Sequence, residues 1–160
     1  MIGVRQAGPA DATELMRLRK VMLDSMRDTP SPGGEWQDAG RALLQRQLAD
    51  PDGMVAAFVV DRPGAPGLAA CVVGAVDQRL PNPSDPTGLR GYVYSVATDP
   101  AYRRRGYSRA CMTALIDWYA RRGIRAVDLR ASPDAEPLYA SLGFRRTPDP
   151  AMRLIVNRPA

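Results

Sequence analysis

The feature that most constrains the fold is a strand–helix–strand pattern in the second half of the chain. Residues 92–98 read as an apolar strand, and 124–131 read as another. Between them, residues 108–122 have the apolar spacing of a helix that closes at Gly123. A strand, a crossover helix and a second strand in one sheet favour a parallel pair. The sequence therefore predicts a sheet that contains at least one parallel pair.

The rest of the chain favours antiparallel pairing, because two strand-like runs flank a turn-rich connection that is typical of a hairpin. The predicted elements are, in order, a strand at 2–6, helices at 9–26 and 36–49, strands at 54–60 and 68–76, a loop at 80–91, the 92–131 unit, a helix at 135–142, and closing strands near Phe144 and at 154–156. The apolar faces of the first two helices carry Leu15, Leu18, Met22, Met26, Leu43, Leu44 and Leu48.

Length and composition indicate one soluble domain. With 160 residues, of which 45% are hydrophobic, the chain can bury a core without disulfides or metals, so we expect a single domain over 1–160. No apolar signal core opens the sequence, and no apolar run reaches about 18 residues, which predicts a cytoplasmic protein with no membrane partner. Cys71 and Cys111 lie in apolar stretches and are expected to be buried free thiols.

The chain contains no histidine, and this restricts its chemistry. Histidine-based zinc sites, Ser-His-Asp triads and imidazole general bases are excluded. We expect no metal, and proton transfer has to use other groups.

Basic charge is concentrated before the helix at 108–122. The net charge is +5, Lys20 is the only lysine, and four arginines fall within 103–109. Unpaired N–H groups at a helix start can hold phosphate oxygens, and Gly106 permits close backbone approach, while Ser108 is small and could cap the helix. The segment predicts a diphosphate cradle, although its spacing matches neither nucleotide-binding glycine motif. A solvated arginine run is the alternative.

Two motifs give this cradle a family context. Arg103-Arg104-Arg105-Gly106-Tyr107-Ser108 resembles the Arg/Gln-x-x-Gly-x-Gly/Ala signature of the GNAT superfamily of acyl-CoA-dependent N-acetyltransferases, with serine in the last place. Ala135-Glu-Pro-Leu-Tyr-Ala-Ser-Leu-Gly-Phe144 matches the family's Ala-x-x-Leu-Tyr-x-x-Leu-Gly-Phe throughout. The order of the predicted elements is also similar over nearly the whole chain.

The resemblance implies a mixed α/β fold with a mostly antiparallel central sheet of about six to seven strands and about four flanking helices. The strands at 92–98 and 124–131 would splay apart, and the pantetheine arm of acetyl-CoA would pair with the backbone around Ala97, at Val96 and Thr98. The Val96 N–H would then polarise the thioester carbonyl.

The resemblance also assigns roles to the two motifs. Backbone N–H groups from Arg104 to Arg109, Tyr107 included, would hold the pyrophosphate, and arginine side chains, Arg103 and Arg105 among them, could reach the other phosphate. Ser132 stands where many members have an asparagine that contacts the pantetheine arm, and capping of the next helix is its alternative role. Tyr139 matches the tyrosine that protonates the coenzyme A sulfur, and packing is its alternative role.

The acceptor site is less defined. Relatives bind acceptors between the first two helices and the splayed strands, which makes Glu35, Trp36, Tyr94 and the 80–91 loop candidates. Asp77 could face the acceptor, or simply end a strand. Trp36 could simply anchor the second helix. No carboxylate lies on 92–98, so the general base stays open, with Ser95 or a water chain beside Tyr94 as further options.

We therefore expect an enzyme that transfers an acetyl group from acetyl-CoA to a primary amine by direct attack on the thioester. A catalytically silent acyl-CoA binding or sensing module is the alternative, since 92–98 lacks a carboxylate. Nucleic-acid binding is disfavoured because few aromatic residues interleave the arginines. The resemblance also allows a homodimer.

Overall fold

The computed structural model describes residues 1–157. Backbone contacts divide the chain into two units, Met1–Arg130 and Ala131–Ala160, each of which is described by itself. The first unit contains β1 (Arg5–Gln6), α1 (Ala12–Ser25), α2 (Glu35–Gln47), β2 (Val55–Asp61), β3 (Leu68–Gln78), β4 (Leu89–Thr98), α3 (Tyr107–Arg121) and β5 (Val127–Leu129), with 3₁₀ turns at Pro9–Asp11 and Pro100–Tyr102. The second contains α4 (Glu136–Ser141). No helix within 1–157 is long and apolar enough to cross a membrane.

The sheet has the predicted mixed topology. Its strand order is β1-β2-β3-β4-β5, and every neighbouring pair is antiparallel except β4 and β5. The predicted hairpin forms between β2 and β3, with Val55 opposite Ala75 and Phe58 opposite Val72. The parallel pair closes the unit that begins with β4, as the strand–helix–strand pattern predicted.

The strand count of six to seven was wrong for the described residues, which form five strands. The expected closing strands near Phe144 and at 154–156 do not form, and Leu154 and Val156 are 84% and 82% exposed. A strand needs a neighbour for its backbone groups, and the prolines at 148 and 150 each remove one donor from the segment that would have to pair. The apolar residues at 154–156 have the pattern of a strand, but in the described residues they have no strand to pair with.

Helices cover both faces of the sheet in the first unit. A core of buried residues from α1, α2, β2 and β3 lies on one face and includes Leu15, Leu18 and Leu44. On the other face, α3 packs against β2, β3 and β4 and buries Met112 and Leu115. The core residues on the first face are Ala7, Ala12, Leu15, Met16, Leu18, Leu44, Leu48, Val55, Ala57, Val59, Leu68, Cys71, Val73 and Ala97.

Two residues expected on apolar helix faces lie outside the core. Met26 is 58% exposed because it follows the end of α1, and Leu43 is 45% exposed. The buried positions at the C-terminal end of α2 are Leu44 and the C-cap residue Leu48, which are four residues apart and therefore lie on one side of the helix.

Several element boundaries also differ from the prediction. The 80–91 loop is shorter, because the Arg79 N–H donates to the Gly88 carbonyl at 2.8 Å and β4 starts at Leu89. The strand predicted at 124–131 covers only 127–129, because the Ile124 N–H donates to the Tyr119 carbonyl and so belongs to the end of α3. Gly123 has φ 71°, the left-handed conformation expected of a helix-terminating glycine.

Both cysteines are free and buried, as predicted. Burial raises the pKa of Cys71 and of Cys111 to about 12. The thiolate is the reactive form, so we expect neither native thiol to react with a disulfide reagent such as DTNB at pH 8, and both to react once the chain is unfolded in denaturant. Rapid reaction of the native protein, followed by absorbance, would contradict this burial.

Candidate active site

The two parallel strands of the strand–helix–strand unit, β4 and β5, separate partway along their length. Strands β4 and β5 pair only from Gly91 opposite Val127 to Val93 opposite Leu129. Beyond Val93, β4 continues to Thr98 with β3 as its only strand neighbour in residues 1–130. The other edge of residues 94–98 is therefore open within this unit, which confirms the predicted splay.

A β-bulge in β4 sets which backbone groups face this open edge. Val73 is opposite Ser95 and Gly74 is opposite Val93, so Tyr94 is the extra residue. Farther along, the Asp99 N–H donates to the Ala69 carbonyl of β3 at 2.8 Å. Backbone groups of successive strand residues point to opposite sides, so the N–H and carbonyl groups of Val96 and Thr98 point away from β3. They present donors and acceptors with strand spacing at the open edge.

The loop after β4 has an unusual backbone. Gly106 is the N-cap of α3 with φ 78°, and Arg104 has φ 64°. Arg104 is the one non-glycine residue with positive φ in the described chain, a conformation that costs about 1–3 kcal/mol. Successive N–H groups in such turns form anion-binding concavities, and the helix dipole of α3 adds positive potential.

Side chains fasten the two ends of this loop. The hydroxyls of Thr98 and Ser108 are 2.6 Å apart, and the Arg103 Nε donates to the Thr98 carbonyl at 3.5 Å. Ser108 does not take the capping role that the sequence allowed, because Gly106 is the N-cap and Ser108 is already inside the helix. The Arg105 guanidinium lies 5.3 Å from the centre of the Tyr102 ring, a cation–π contact. The three arginine side chains at 103–105 are exposed, so their positive charges lie in solvent around the loop.

In the second unit, the Tyr-x-x-Leu-Gly-Phe motif is a helix terminator. Gly143 has φ 97°, its N–H donates to the Ala140 carbonyl, and the Phe144 N–H donates to the Tyr139 carbonyl at 3.1 Å. These are the two hydrogen bonds of a Schellman motif, and the Tyr139 and Phe144 rings complete it with an edge contact at 6.0 Å between centroids.

Tyr139 is buried, and burial raises the pKa of its phenol above the ordinary value of 10.0. The raised pKa keeps the phenol protonated at neutral pH, and within residues 1–157 its hydroxyl makes no hydrogen bond that would commit this proton to another acceptor. Ser132 does not cap α4 with its side chain, contrary to its alternative role. Its carbonyl accepts the N–H groups of Ala135 and Glu136, both at 3.0 Å.

The four acceptor candidates occupy different places. The sequence placed Glu35 in the loop before the second helix. In the structure it is instead the exposed first residue of α2. Trp36 follows it, donates from Nε1 to the Pro32 carbonyl at 3.0 Å and packs against the core. Tyr94 is 38% exposed at the bulge, and burial of the rest of its side chain raises its pKa.

Asp77 lies far from the open edge of β4. It is opposite Arg90 and accepts a hydrogen bond from the Arg79 Nε at 3.0 Å. Val72, the residue opposite Val96, is five residues away along β3, which corresponds to about 17 Å. The structure therefore does not bring Asp77 and Val96 together.

Two side chains that the sequence did not single out reach β4 and the loop. Arg19 of α1 donates from Nη1 to the Tyr94 carbonyl at 3.3 Å, and Arg17 donates to the Asp99 carboxylate at 2.9 Å. Arg17 and Arg19 flank the buried Leu18. A charged residue on each side of a core position was the only sequence signal that could have pointed to these two side chains.

Comparison with known proteins identifies the class of protein that has this fold. The model of the acetyltransferase (GNAT) family matches residues 18–144, more than half of the chain. The chain belongs to the GNAT acetyltransferase family, whose members take acetyl-CoA as the acyl donor.

Individual relatives agree with this assignment. A GCN5-related N-acetyltransferase from Ralstonia eutropha JMP134 is 28% identical with a TM-score of 0.77, covering 96% of this chain and 99% of that one. A predicted acetyltransferase with acetyl-CoA from Clostridium acetobutylicum has the same fold, with a TM-score of 0.80, 23% identity and coverage of 98% and 96%.

A curated relative, the N-alpha-acetyltransferase RimI of Mycobacterium tuberculosis (strain ATCC 25618 / H37Rv), is 40% identical over 55 residues. That match spans 34% of this chain and 34% of RimI, about a third of each protein.

Proposed function

We propose that this protein transfers the acetyl group of acetyl-CoA to a primary amine. The observation that carries the proposal is the open edge of β4, where the N–H and carbonyl groups of Val96 and Thr98 lie beside a left-handed loop at the start of α3. An amide-bearing pantetheine arm fits the first feature, since it can pair as an added strand. A diphosphate fits the second. The open edge of β4 is followed directly by the loop, just as the pantetheine arm of coenzyme A is joined directly to the diphosphate.

Acetyl-CoA supplies an activated thioester, and the residues of this chain bind and orient it. Val96, Ala97 and Thr98 hold the pantetheine arm, with the Val96 N–H donating to the thioester carbonyl and favouring charge on that oxygen. Ser132 is a further candidate contact to the arm. The pyrophosphate is held by backbone N–H groups of residues 104–109, and the arginine side chains of the loop supply charge for the other phosphate.

Tyr139 is proposed as the proton donor to the departing thiolate. A phenol with a pKa above about 10 retains its proton at neutral pH, and the departing coenzyme A thiolate, which carries no proton, accepts it to become the free thiol. The edge contact with Phe144 fixes the tyrosine ring at the end of α4. Its proton therefore stays available for transfer.

The acceptor amine is proposed to approach from the side of α1 and α2. Glu35, Trp36 and Tyr94 are its candidate contacts, while Asp77, about 17 Å from the level of Val96 along β3, would contact only the far part of an extended acceptor. A peptide that presents its N-terminal amine is an acceptor of this extended kind, and the RimI relative is an N-alpha-acetyltransferase.

The test is calorimetric titration of acetyl-CoA into the protein, followed by thiol release against a panel of small amines, polyamines, amino acids and peptides. Binding with turnover supports the transferase. The second candidate, a silent acyl-CoA sensor, rests on the absence of a carboxylate in β4, and binding without turnover across the panel would support it instead. No binding would overturn both.

A further inference from the structure

Asp99 occupies the junction between β4 and the loop that leads to α3. The residue is only 8% exposed, although it is an acid. Its Oδ2 accepts hydrogen bonds from the Arg17 Nη1 and the Arg62 Nη2, both at 2.9 Å, and its Oδ1 accepts the Ala101 N–H at 3.0 Å. A single buried carboxylate thus meets two guanidinium groups and the first turn of the loop.

The backbone of Asp99 is fixed as well. Its N–H donates to the Ala69 carbonyl of β3 at 2.8 Å, and its carbonyl accepts the Tyr102 N–H at 2.8 Å. The residue therefore ties the sheet on one side to the 3₁₀ turn Pro100–Tyr102 on the other.

The two arginines belong to other parts of the first unit. Arg17 lies on α1 and also binds the Glu14 carboxylate and the Leu68 carbonyl, while Arg62 lies in the turn after β2. The Glu14 Oε1 in turn accepts the Leu68 N–H at 2.8 Å. Through this network α1 and the β2–β3 hairpin hold the start of the loop in place.

The loop needs such support because part of it is strained. Arg104 keeps a left-handed conformation, and strained residues persist only where the surrounding structure over-determines them. The far end of the loop is fixed by the hydroxyl pair of Thr98 and Ser108, at 2.6 Å. The near end is fixed by Asp99.

We propose that Asp99 is a positioning residue which, with Arg17 and Arg62, holds residues 99–108 in the conformation that receives acetyl-CoA before the ligand arrives. The inference rests on the proposed function. A loop that is ordered in advance avoids the entropy cost of ordering on binding, so the network contributes to affinity without touching the ligand.

The ionised carboxylate is the active form of this network. Burial by itself would raise the pKa of Asp99, but the Ala101 N–H, Arg62 and Arg17 outweigh it and hold the pKa below its ordinary value. Asn at this position has a similar size but loses the charge and replaces an acceptor by a donor that faces an arginine. Asp99→Asn should therefore release the start of the loop.

The matched control is Asp61→Asn. Asp61 accepts two hydrogen bonds from Arg5, at 2.8 Å each, at the end of β2, so the same change removes an arginine–carboxylate pair outside the candidate site. We expect Asp99→Asn to raise the Kd of acetyl-CoA about tenfold and Asp61→Asn to leave it within twofold. With any amine that the wild type turns over, the KM for acetyl-CoA should rise in Asp99→Asn while kcat at saturation is retained.

Amide hydrogen exchange of the ligand-free proteins provides a readout that does not depend on activity. The amides of residues 101–108 should exchange faster in Asp99→Asn than in the wild type or Asp61→Asn, and saturating acetyl-CoA should restore their protection. If Asp99→Asn does not fold, Arg62→Gln removes one of the two charged donors and should give the same pattern.

Wild-type-like Kd and exchange in the folded Asp99 variant, or in Arg62→Gln where that variant is used, would overturn the inference while leaving the proposed function intact. A wild-type protein that binds no acetyl-CoA would instead overturn the proposed function, and the inference with it.

Discussion

Gly106→Val should raise the Kd of acetyl-CoA at least about a hundredfold, or about 2.7 kcal/mol. The substitution has room, since a Cβ at this position would meet only the Ile2 Cδ1, at an ordinary 3.5 Å. The cost comes from the backbone. Gly106 has φ 78°, and a β-branched residue is a genuine outlier there. Valine would either leave the left-handed region, which redirects the N–H groups at the start of α3, or place its methyl groups where the phosphates are expected. Calorimetric titration measures the effect.

The other end of the same helix provides the control. Gly123 has φ 71°, and a Cβ at this position would meet no atom within 4 Å, so Gly123→Val introduces the same residue into nearly the same backbone conformation. Both variants should lose stability in denaturant titrations, and only Gly106→Val should lose binding. Equal losses of affinity in the two variants would assign the effect to general destabilisation of α3.

Tyr139→Phe should lower kcat about 10²- to 10³-fold while leaving the Kd of acetyl-CoA within twofold. This range is the lower part of the about 10²- to 10⁴-fold that a positioned general acid usually contributes. Phenylalanine keeps the ring and its edge contact with Phe144, and the tyrosine hydroxyl has no hydrogen bond to lose within residues 1–157. Thiol-release kinetics measure kcat, and a melting curve should show a stability close to that of the wild type.

The pH profile adds a second check on this residue. Burial raises the pKa of Tyr139 above 10.0, so its protonated, donating form dominates throughout neutral and mildly alkaline solution. Loss of the Tyr139 proton should therefore not limit wild-type turnover below about pH 10. A kcat that is unchanged in Tyr139→Phe would leave Tyr139 with a packing role only, and a loss of binding equal to that of Gly106→Val would contradict the separation of binding from proton transfer.

Local chemistry in the sequence was sufficient where an element depends on its own residues. The β2–β3 hairpin formed where a Pro- and Gly-rich turn separates two apolar runs, and α3 and α4 end at Gly123 and Gly143 because both glycines adopt positive φ. The motif around Gly106 was visible because that position also requires a left-handed residue. These features rest on steric limits that act over a few residues.

The sequence-based predictions were wrong where a residue's structure depends on strand pairing or packing with residues far away in the chain. The apolar run at 154–156 has strand propensity but no neighbour in the described residues, and Leu43 is exposed because Leu44 and Leu48 occupy the buried side of α2. Asp99 was not singled out from the sequence, since nothing nearby in the chain shows that Arg17 and Arg62 converge on it.

By itself the sequence determined the family, the order of nearly all the elements, and the loop and tyrosine that its two motifs mark, because these depend on residue types at short, fixed spacings. Only the tertiary structure decided that β4 loses its β5 neighbour beyond Val93, that the Val96 and Thr98 backbone groups face the open edge, and that Asp99 joins two arginines at the start of the loop. Each of these depends on strand register or on charges more than 30 residues apart meeting in a buried place, which no local pattern encodes.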